Sequence, residues 1–487
     1  RRASAHRERP FRGRQVRFAV VGGGIAGLSA AWELAGTDGA EVTVYEPGHL
    51  GGKLLTTTFL GRAVDEGADS LITRVPEGIA LCQELGLGEE MGGPEARRAM
   101  LFARGKSRPF PDGLVLGAPA RLLPLARSRI LSVGGMGRAS LDLVLPRTDL
   151  GSDVSVWSLI ASRFGPEVAE RLVEPLLGSI HAGSTKKLSA AATAPQILAA
   201  ARANRSLLLG LRAMGRSQQS AGDGENSASG GPLFVAPRGG MQVLVDRLVQ
   251  RLRGAGVAIV PSAASALRRD GRSVVVEPAG ERYDGVVLAV PAPVASTLLQ
   301  QLLGPGARSR LAGIVSASVA VVTFGFGDGS LEVPRDLSGV LVAPGGGLLM
   351  TACSFGSNKW PHWAAPGRFV IRASVGRDGD GRWSALTDED LVGKLCEELG
   401  TVLGQPTPTP VAGGWRVSRW PAALPQYEVG HLERIDALKA TLSREAPTVA
   451  LAGSSYSGAG VPACIGSGRR SAAEILAAVQ VLGEPAA

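Results

Sequence analysis

The chain has 487 residues, of which 45% are apolar and 20% charged, as is typical of a globular protein. The net charge of +9 does not indicate a nucleic-acid partner, because residues 1–17 alone contain seven arginines and one acid. No segment approaches the roughly 18 consecutive apolar residues of a membrane span, and the four widely spaced cysteines and five histidines predict no metal site. We expect a cytoplasmic protein with reduced thiols and a disordered basic tail at residues 1–15; peripheral contact with a membrane is left open.

The first predicted elements form a strand–helix–strand unit. Residues 16–21 ("VRFAVV") predict a buried strand, residues 22–27 a glycine-rich turn, and residues 41–46 ("EVTVYE") a second strand after an intervening helix. Two strands joined in this way lie parallel in one sheet, so the unit predicts an α/β fold.

The rest of the chain alternates between helical and strand-rich segments. Helices are predicted at 76–90, through most of 95–215, at 239–252 and at 387–403. Strands are predicted at 256–260, 273–278, 283–290 and within 312–378. Residues 216–232, rich in Ser, Gly, Asn and Gln, predict a flexible loop. We therefore expect a discontinuous Rossmann-like domain (16–94, 233–300 and 440–487), a helical domain over the substrate cavity (95–215), and a mixed-sheet substrate-binding domain (301–439).

The glycine-rich turn has the spacing of a dinucleotide site. Gly22 permits the tight turn, Gly24 lets the backbone approach a pyrophosphate, and Gly27 lets helix and strand pack closely. The helix that follows would present free N–H groups to the phosphates. Glu46 ends the second strand, where it would accept hydrogen bonds from a ribose hydroxyl and disfavour NADP. The neighbouring residues in the predicted site are Gly23, Ile25, Ala26 and Pro47.

Two further segments favour FAD over NAD. "EPGHLGGKLLTT" places a second glycine pair and Lys53 beyond Glu46, which resembles the extension found in flavoprotein amine oxidases. "VDEGADS" (64–70) resembles the next flavin-contacting segment of that group. The last helix is predicted to begin near Pro462, where its N-terminus would direct positive potential at the flavin. This resemblance implies non-covalent FAD, without attachment to Cys464, and contacts from Gly52, Lys53, Gly67, Ala68, Asp69, Ser70, Ala264, Gly453, Val461, Pro462 and Ala463.

Beyond these motifs, the chain resembles the oxygen-dependent porphyrinogen oxidases of haem synthesis, of the type found in Gram-positive bacteria and actinobacteria. The segments that carry the resemblance are 52–74, 163–196 ("RLVEPLLGSIHAG" within it), 234–248, 424–438 ("PQYEVGH" within it) and 455–472. The resemblance implies FAD-dependent oxidation of a porphyrinogen by molecular oxygen, with hydrogen peroxide as by-product. Coproporphyrinogen III is the first choice of substrate and protoporphyrinogen IX the alternative. The resemblance also suggests that the product is handed over to the next enzyme of the haem pathway.

The resemblance carries over to individual residues unevenly. Asp69 is the candidate catalytic residue, although relatives often have Asn there and the flavin does most of the chemistry. Arg98 and the weaker candidate Arg74 would pair with substrate propionates. The cavity residues implied by the same resemblance are Ile180, Leu341 and Phe355.

Two other classes of function are compatible with the motifs. One is another enzyme of the amine-oxidase superfamily, acting on an amine or a polyene. The four tyrosines of the chain disfavour the aromatic cage that an amine requires. The other is a non-enzymatic binding protein of the same fold, which the complete set of glycines and Glu46 disfavours.

Overall fold

A computed structural model describes residues 15–220 and 231–483 of the chain. The predicted basic tail, apart from Gln15, and residues 221–230 of the predicted loop lie outside the described residues. The start of that loop was predicted wrongly, because residues 216–220 continue a helix. None of the described helices is long and apolar enough to cross a membrane.

The strands are numbered in chain order. They are β1 Val16–Val21, β2 Ala40–Tyr45, β3 Thr56–Phe59, β4 Arg62–Asp65, β5 Leu71–Ile72, β6 Met91–Gly92, β7 Arg98–Ala103, β8 Lys106–Pro109, β9 Leu114–Val115, β10 Ala118–Pro119, β11 Phe234–Pro237, β12 Ala258–Val260, β13 Ala266–Asp270, β14 Ser273–Glu277, β15 Glu281–Tyr283, β16 Gly285–Leu288, β17 Ser316–Gly327, β18 Leu337–Val342, β19 Met350–Ser354, β20 Arg368–Val375, β21 Trp415–Pro425 and β22 Val449–Leu451.

The helices are numbered in the same way. They are α1 Ile25–Ala35, α2 Pro76–Glu84, α3 Leu122–Ser128, α4 Val133–Ser140, α5 Val156–Phe164, α6 Pro166–Val168, α7 Ser179–His181, α8 Ala190–Thr193, α9 Pro195–Ala203, α10 Leu207–Ser220, α11 Gln242–Gly254, α12 Ala292–Leu298, α13 Pro305–Ala312, α14 Gly356–Lys359, α15 Asp388–Leu403, α16 His431–Glu445, α17 Ser454–Ser457 and α18 Val461–Gly483. A π-helix spans Ala169–Gly178, and 3₁₀ turns span Gly88–Glu90, Leu141–Leu143 and Pro361–Trp363.

The predicted strand–helix–strand unit lies in a five-stranded parallel sheet of order β12-β2-β1-β16-β22. Side chains of β1 alternate between its two faces. Phe18 and Val20 pack with α1, α11 and α18, whereas Ala19 and Val21 pack with β13–β15, α12 and α16. Strands from the beginning, middle and end of the chain therefore share one sheet, which confirms the predicted discontinuous Rossmann-like fold.

Two glycines bring the last helix against the first. A Cβ at Gly468 of α18 would collide with the carbonyl oxygen of Ala26 in α1, so only glycine permits this approach. Gly453, just before α17, is also close to Ala26. The segment between Gly453 and the start of α18 is thereby placed beside the glycine-rich turn.

The second large sheet has seven strands in the order β21-β17-β20-β19-β18-β7-β8. Phe324, Ile371 and Leu395 belong to the core between one face of this sheet and α15. Helix α15 begins where the sequence predicts, because the Thr387 side chain accepts a hydrogen bond from the N–H of Asp390 (3.1 Å). The opposite face of the sheet is left for the helical region and the site.

Residues 95–215 are only partly helical, which corrects the prediction. Strands β7 and β8 occupy residues 98–109, and helices dominate only from Leu122 onward. The error has a physical cause: β7 pairs in parallel with β18, so its partner is far away in the sequence. The π-helix that follows α6 contains Pro175, which lacks an N–H and so cannot make an ordinary helical hydrogen bond.

Candidate cofactor and substrate site

The three motif positions favour glycine for three separate reasons. Gly22 has a φ of +108°, and a Cβ there would lie 2.5 Å from the carbonyl oxygen of Ala289. A Cβ at Gly27 would overlap the carbonyl oxygen of Gly22, so this glycine sets the contact between helix and strand. A Cβ at Gly24 would meet no protein atom within 4 Å. The backbone at Gly24 therefore borders open space at the N-terminus of α1.

Glu46 follows β2 and faces the same turn. Its Oε2 accepts a hydrogen bond from the N–H of Gly23 (2.7 Å), and its Oε1 accepts one from the N–H of Gly48 (2.8 Å). The predicted contact Pro47 is exposed beside it. Each carboxylate oxygen keeps acceptor capacity beyond these bonds, so Glu46 could also accept a ribose hydroxyl.

The second glycine pair lies directly against the first turn. The N–H of Gly51 donates to the carbonyl oxygen of Gly23 (2.8 Å), and Gly51 and Gly24 form an isolated parallel bridge. A Cβ at Gly52 would lie 3.3 Å from the Cα of Gly24. The two glycine segments thus pack against each other beside the open space at Gly24, where the backbone of both could approach a pyrophosphate.

The start of α18 completes this space. Gly458 and Gly460 have positive φ, Pro462 lies in the first turn, and the N–H of Cys464 donates to Gly460. The Lys53 ammonium interacts with Cys464, so it lies near this helix N-terminus. Desolvation lowers the pKa of Lys53 although its side chain is exposed, as expected for a side chain that borders an enclosed space.

The other predicted contacts in this region are distributed around the same space. Val461 and Pro462 are buried and Ala463 is half-buried in the first turn of α18. Ala264 lies in the loop after β12, whose Val260 pairs with Tyr45 next to Glu46. Burial raises the pKa of the Cys464 thiol to about 11, which keeps it protonated near neutral pH.

The segment Gly67–Ser70 forms a wall beside the second glycine pair, against the backbone of Lys53. A Cβ at Gly67 would collide with the carbonyl oxygen of Lys53, and the N–H of Ala68 donates to that same oxygen (3.2 Å). Asp69 points toward the end of α14, where its Oδ2 accepts hydrogen bonds from Lys359 (2.8 Å) and Trp360 (3.3 Å).

This geometry does not support the predicted catalytic role of Asp69. Burial alone would raise the pKa of its carboxyl group, but the charges of Lys359 and Arg372 hold that pKa well below its usual value. A carboxylate held ionised by two cations is a weak proton acceptor. Asp69 is therefore an electrostatic and structural part of the site.

The free face of the seven-stranded sheet carries small and apolar side chains. Ser374, Ala352 and Leu341 lie side by side on β20, β19 and β18, and all three are half-buried although their strands are central. Ile180, at the end of the π-helix, is 50% exposed. The predicted residues Ile180 and Leu341 are thus accessible to a ligand, and Leu341 also contacts the helical core.

Phe355 does not line a cavity. Its side chain is fully buried in the core on the α15 side of the sheet, next to Phe369. The prediction that it contacts the substrate is wrong, because the strand β19 ends just before it and its ring turns into that core.

The predicted carboxylate-binding arginines are on the surface. Arg98 pairs with Asp336 (2.9 Å), with about half of each side chain exposed or more. Arg74 is exposed after β5. Strand alternation places Arg98, the first residue of β7, on the face of Phe102, toward α15, whereas Arg97 precedes the strand. The exposed Arg97 has no hydrogen bond or ion pair within the described part of the chain.

Sequence reasoning missed Arg97, Lys359, Trp360 and Arg372. Alternation of the apolar residues 99–103 could have shown that Arg98 faces away from the site, had this stretch been predicted as a strand. The other three contact the Asp69 segment from about 290 residues away. No local pattern predicts such a contact.

The residues present fit a dinucleotide-type flavin cofactor. The open space beside Gly24 is bordered by backbone, an acid directly follows β2, and two helices begin nearby. Within residues 15–220 and 231–483 no group of three or more His, Cys, Asp or Glu side chains is arranged to hold a metal ion.

Comparison with known proteins gives the same picture over almost the whole chain. Residues 25–476 match the model of the flavin containing amine oxidoreductases. Coproporphyrinogen III oxidase of Mycobacterium tuberculosis (strain H37Rv) is 35% identical over 95% of this chain and 98% of the relative. The Bacillus subtilis enzyme of that name is 31% identical over 94% and 97%. The crystal structure of a putative protoporphyrinogen oxidase from Exiguobacterium sp. superposes with a TM-score of 0.82 at 28% identity, over 95% of this chain and 99% of that one. Because these matches extend across both large sheets and the helical region between them, the protein belongs to the flavin-containing amine oxidoreductase family.

Proposed function

We propose that this protein is an FAD-dependent oxidase that converts coproporphyrinogen III to coproporphyrin III in haem biosynthesis, with oxygen as acceptor and hydrogen peroxide as by-product. The observation that carries the proposal is the near-complete match to coproporphyrinogen III oxidases at 31–35% identity. An identity of this size over more than nine-tenths of both chains extends to the substrate-facing sheet and the helical region.

FAD supplies the redox chemistry, since a bound flavin accepts hydride from a substrate carbon and is reoxidised by oxygen. The chain positions it. The backbone around Gly24 and Gly52 would hold the pyrophosphate, and Glu46 would hold the ribose. The N-terminus of α18 and the ammonium of Lys53 contribute positive potential at one end of the space. Such potential favours a cofactor that gains negative charge on reduction.

The free face of the seven-stranded sheet would hold the tetrapyrrole. Leu341 and Ala352 supply apolar contact, and Ile180 closes the cavity from the helical side. Arg97 directly precedes β7 of this sheet and has no partner for its guanidinium in the described residues, so it would bind a propionate carboxylate. The chain then acts by positioning and by excluding water, and it needs no general base: Asp69 is held ionised, and burial lowers the pKa of His181 to about 4.

The alternative substrate is protoporphyrinogen IX, which the likeness to the Exiguobacterium protein favours. The experiment that decides is to supply each porphyrinogen to the purified yellow protein under oxygen and to record porphyrin fluorescence and peroxide. We expect the higher kcat/KM with coproporphyrinogen III, because it has four carboxylates rather than two. Preference for protoporphyrinogen IX would overturn the substrate, and a colourless protein that binds porphyrin without turnover would indicate a binding protein.

Contact with a membrane surface and hand-over of the product to the next haem-pathway enzyme stay predictions. Exposed apolar side chains on the surface of α3, α4 and the following turn are the candidates for either contact: Leu123, Val133, Leu141 and Val144.

A further inference from the structure

Arg372 is a buried cation at the centre of the seven-stranded sheet. It lies on β20, directly across from Thr323 of β17, and Arg416 of β21 lies on the other side of Thr323. Since Phe324 and Ile371 face the α15 core, Thr323 and the two arginines face the opposite side, toward the cofactor-binding half. Only 9% of Arg372 is exposed.

The polar contacts of the Arg372 guanidinium go to the segment that the family resemblance assigns to the flavin. Its Nη2 donates to the carbonyl oxygen of Gly67 (2.6 Å), and its Nη1 lies 4.0 Å from the Oδ2 of Asp69. The guanidinium also lies over the ring of Trp363, 5.7 Å from the centroid. Arg372 thus bridges the substrate sheet and the cofactor wall, which are about 300 residues apart in the chain.

The surrounding charges balance. Around Arg372 the described structure places three acids and three cations, each at most one-fifth exposed: Asp65, Glu66, Asp69, Lys359, Arg372 and Arg416. Arg416 neutralises the hairpin side of this cluster, through Glu66 (3.6 Å) and the hydroxyl of Thr57 (2.5 Å). Charges act strongly on one another, and on a nearby cofactor, in such a poorly solvated region.

We infer that Arg372 is a positioning residue for the flavin: it fixes the Gly67–Ser70 wall and cancels the negative charge of Asp69 beside the cofactor, which raises the flavin reduction potential. This inference rests on the flavin chemistry of the proposed function and not on the identity of the substrate. Loss of the cation would leave this six-residue cluster with a net charge of −1 near a group that becomes anionic on reduction, although Lys359 would still pair with Asp69. Reduction should then become less favourable.

The test is the midpoint potential of the bound flavin, measured on the holoenzyme by reductive titration against a reference dye, without porphyrinogen. Arg372→Met should shift the potential to more negative values, and Asp69→Asn should shift it to more positive values. The double variant, in which the two charges are lost together, should return toward the wild-type potential. Arg372→Lys keeps the charge and should restore most of the potential.

Arg416→Met is the matched control, because Arg416 is another largely buried cation in the same row of the sheet. Arg416 contacts Thr57 and Glu66, in and next to the β3–β4 hairpin, and it does not contact Gly67 or Asp69. Its shift should be smaller than that of Arg372→Met. An unchanged potential in Arg372→Met, or an equal shift in Arg416→Met, overturns the inference. If Arg372→Met does not fold, an unchanged potential in Asp69→Asn overturns it as well. These readouts need no turnover, so a failed substrate assignment leaves them intact, whereas absence of bound flavin would contradict the proposed function itself.

Discussion

The nucleotide end of the site and its substrate end are constructed differently. At the nucleotide end, Gly22, Gly24 and Gly27 follow one another within a single turn, and the contacts offered to a ligand are backbone N–H groups and bare Cα atoms. At the substrate end, Leu341 and Ser374 stand on separate strands, and the helical wall comes from another part of the chain. One end depends on local conformation and the other on long-range pairing.

This difference teaches where the chain tolerates change. The glycine turn around Gly22, Gly24 and Gly27 (the cradle) tolerates few substitutions, because an added Cβ either collides with the protein or occupies the ligand space. A sheet face presents side chains that can be exchanged without altering the strands, provided that size and polarity suit the ligand. Substrate choice can therefore vary on a constant cofactor end.

The largest expected effects come from two alanine substitutions in the cradle. Gly27→Ala places a Cβ onto the carbonyl oxygen of Gly22, and we expect the apoprotein to lose about 3 kcal/mol of unfolding free energy. Gly24→Ala meets no protein atom and has an ordinary φ of −70°, so the apoprotein should keep its stability. FAD affinity should fall about 100-fold, or about 2.7 kcal/mol, because the methyl group enters the phosphate space.

Urea unfolding of the apoprotein and fluorescence titration with FAD separate these two outcomes. If Gly24→Ala binds FAD as the wild type does, the open space beside Gly24 is not the phosphate site. If the two variants lose the same stability, the contrast between a packing glycine and a binding glycine is wrong.

The same contrast explains which parts of the site were predictable from the sequence. The glycine turns, Glu46 and the start of α18 are local patterns whose conformation follows from the lack of a Cβ or from the start of a helix, and the structure brings them together around one space. Asp69 was identified but its role was misjudged, because Lys359 and Arg372 meet it only in the folded chain.

On the substrate side, the errors come from strand alternation that was overlooked and from a side chain at the end of a strand. Treating residues 98–103 as helical hid the alternation that turns Arg98 toward α15. Phe355 was assigned to the cavity on the family resemblance, but its side chain follows the end of β19 and turns into the core. Such errors arise because the orientation of a side chain at a strand end depends on tertiary packing.

Acid should weaken the region around Tyr427, whose ring contacts both His181 and His431. Desolvation lowers the pKa of both His181 and His431 to about 4, so both are neutral in the folded protein. Their unfolded pKa is about 6.5, so their stabilising contribution is complete above pH 6.5 and is lost as the pH falls from 6.5 toward 4. Each should cost about 2 kcal/mol between pH 6.5 and pH 5. The raised pKa of Asp65 acts in the opposite direction.

Urea unfolding at a series of pH values tests this expectation, with hydrogen exchange to locate the loosened region. His431→Gln should flatten the pH dependence by about the contribution of one group. Equal pH dependence in this variant and the wild type, or exchange that rises first around β1 and α1, would contradict it.

A smaller effect is expected at the edge of the substrate face. Arg97→Ala should raise the KM for coproporphyrinogen III about tenfold, or about 1.4 kcal/mol, with little change in kcat, because it removes a cation that binds a carboxylate away from the reacting carbon. Arg98→Ala is the matched control on the adjacent position, since it removes only the exposed pair with Asp336. A larger increase of KM in Arg98→Ala than in Arg97→Ala, measured by steady-state kinetics, would contradict the assignment of the carboxylate contact to Arg97.

The smallest effect is expected at Ile180. Because half of this side chain is exposed, Ile180→Ala should change the unfolding free energy by less than about 1 kcal/mol. It should still raise the KM for the porphyrinogen a few-fold, since the side chain would contact the tetrapyrrole. Leu209 on α10 is a suitable control, being 47% exposed in the same helical region. If Ile180→Ala and Leu209→Ala have the same kinetics, α7 contributes nothing to substrate binding. The substrate would then be bound by the sheet face alone.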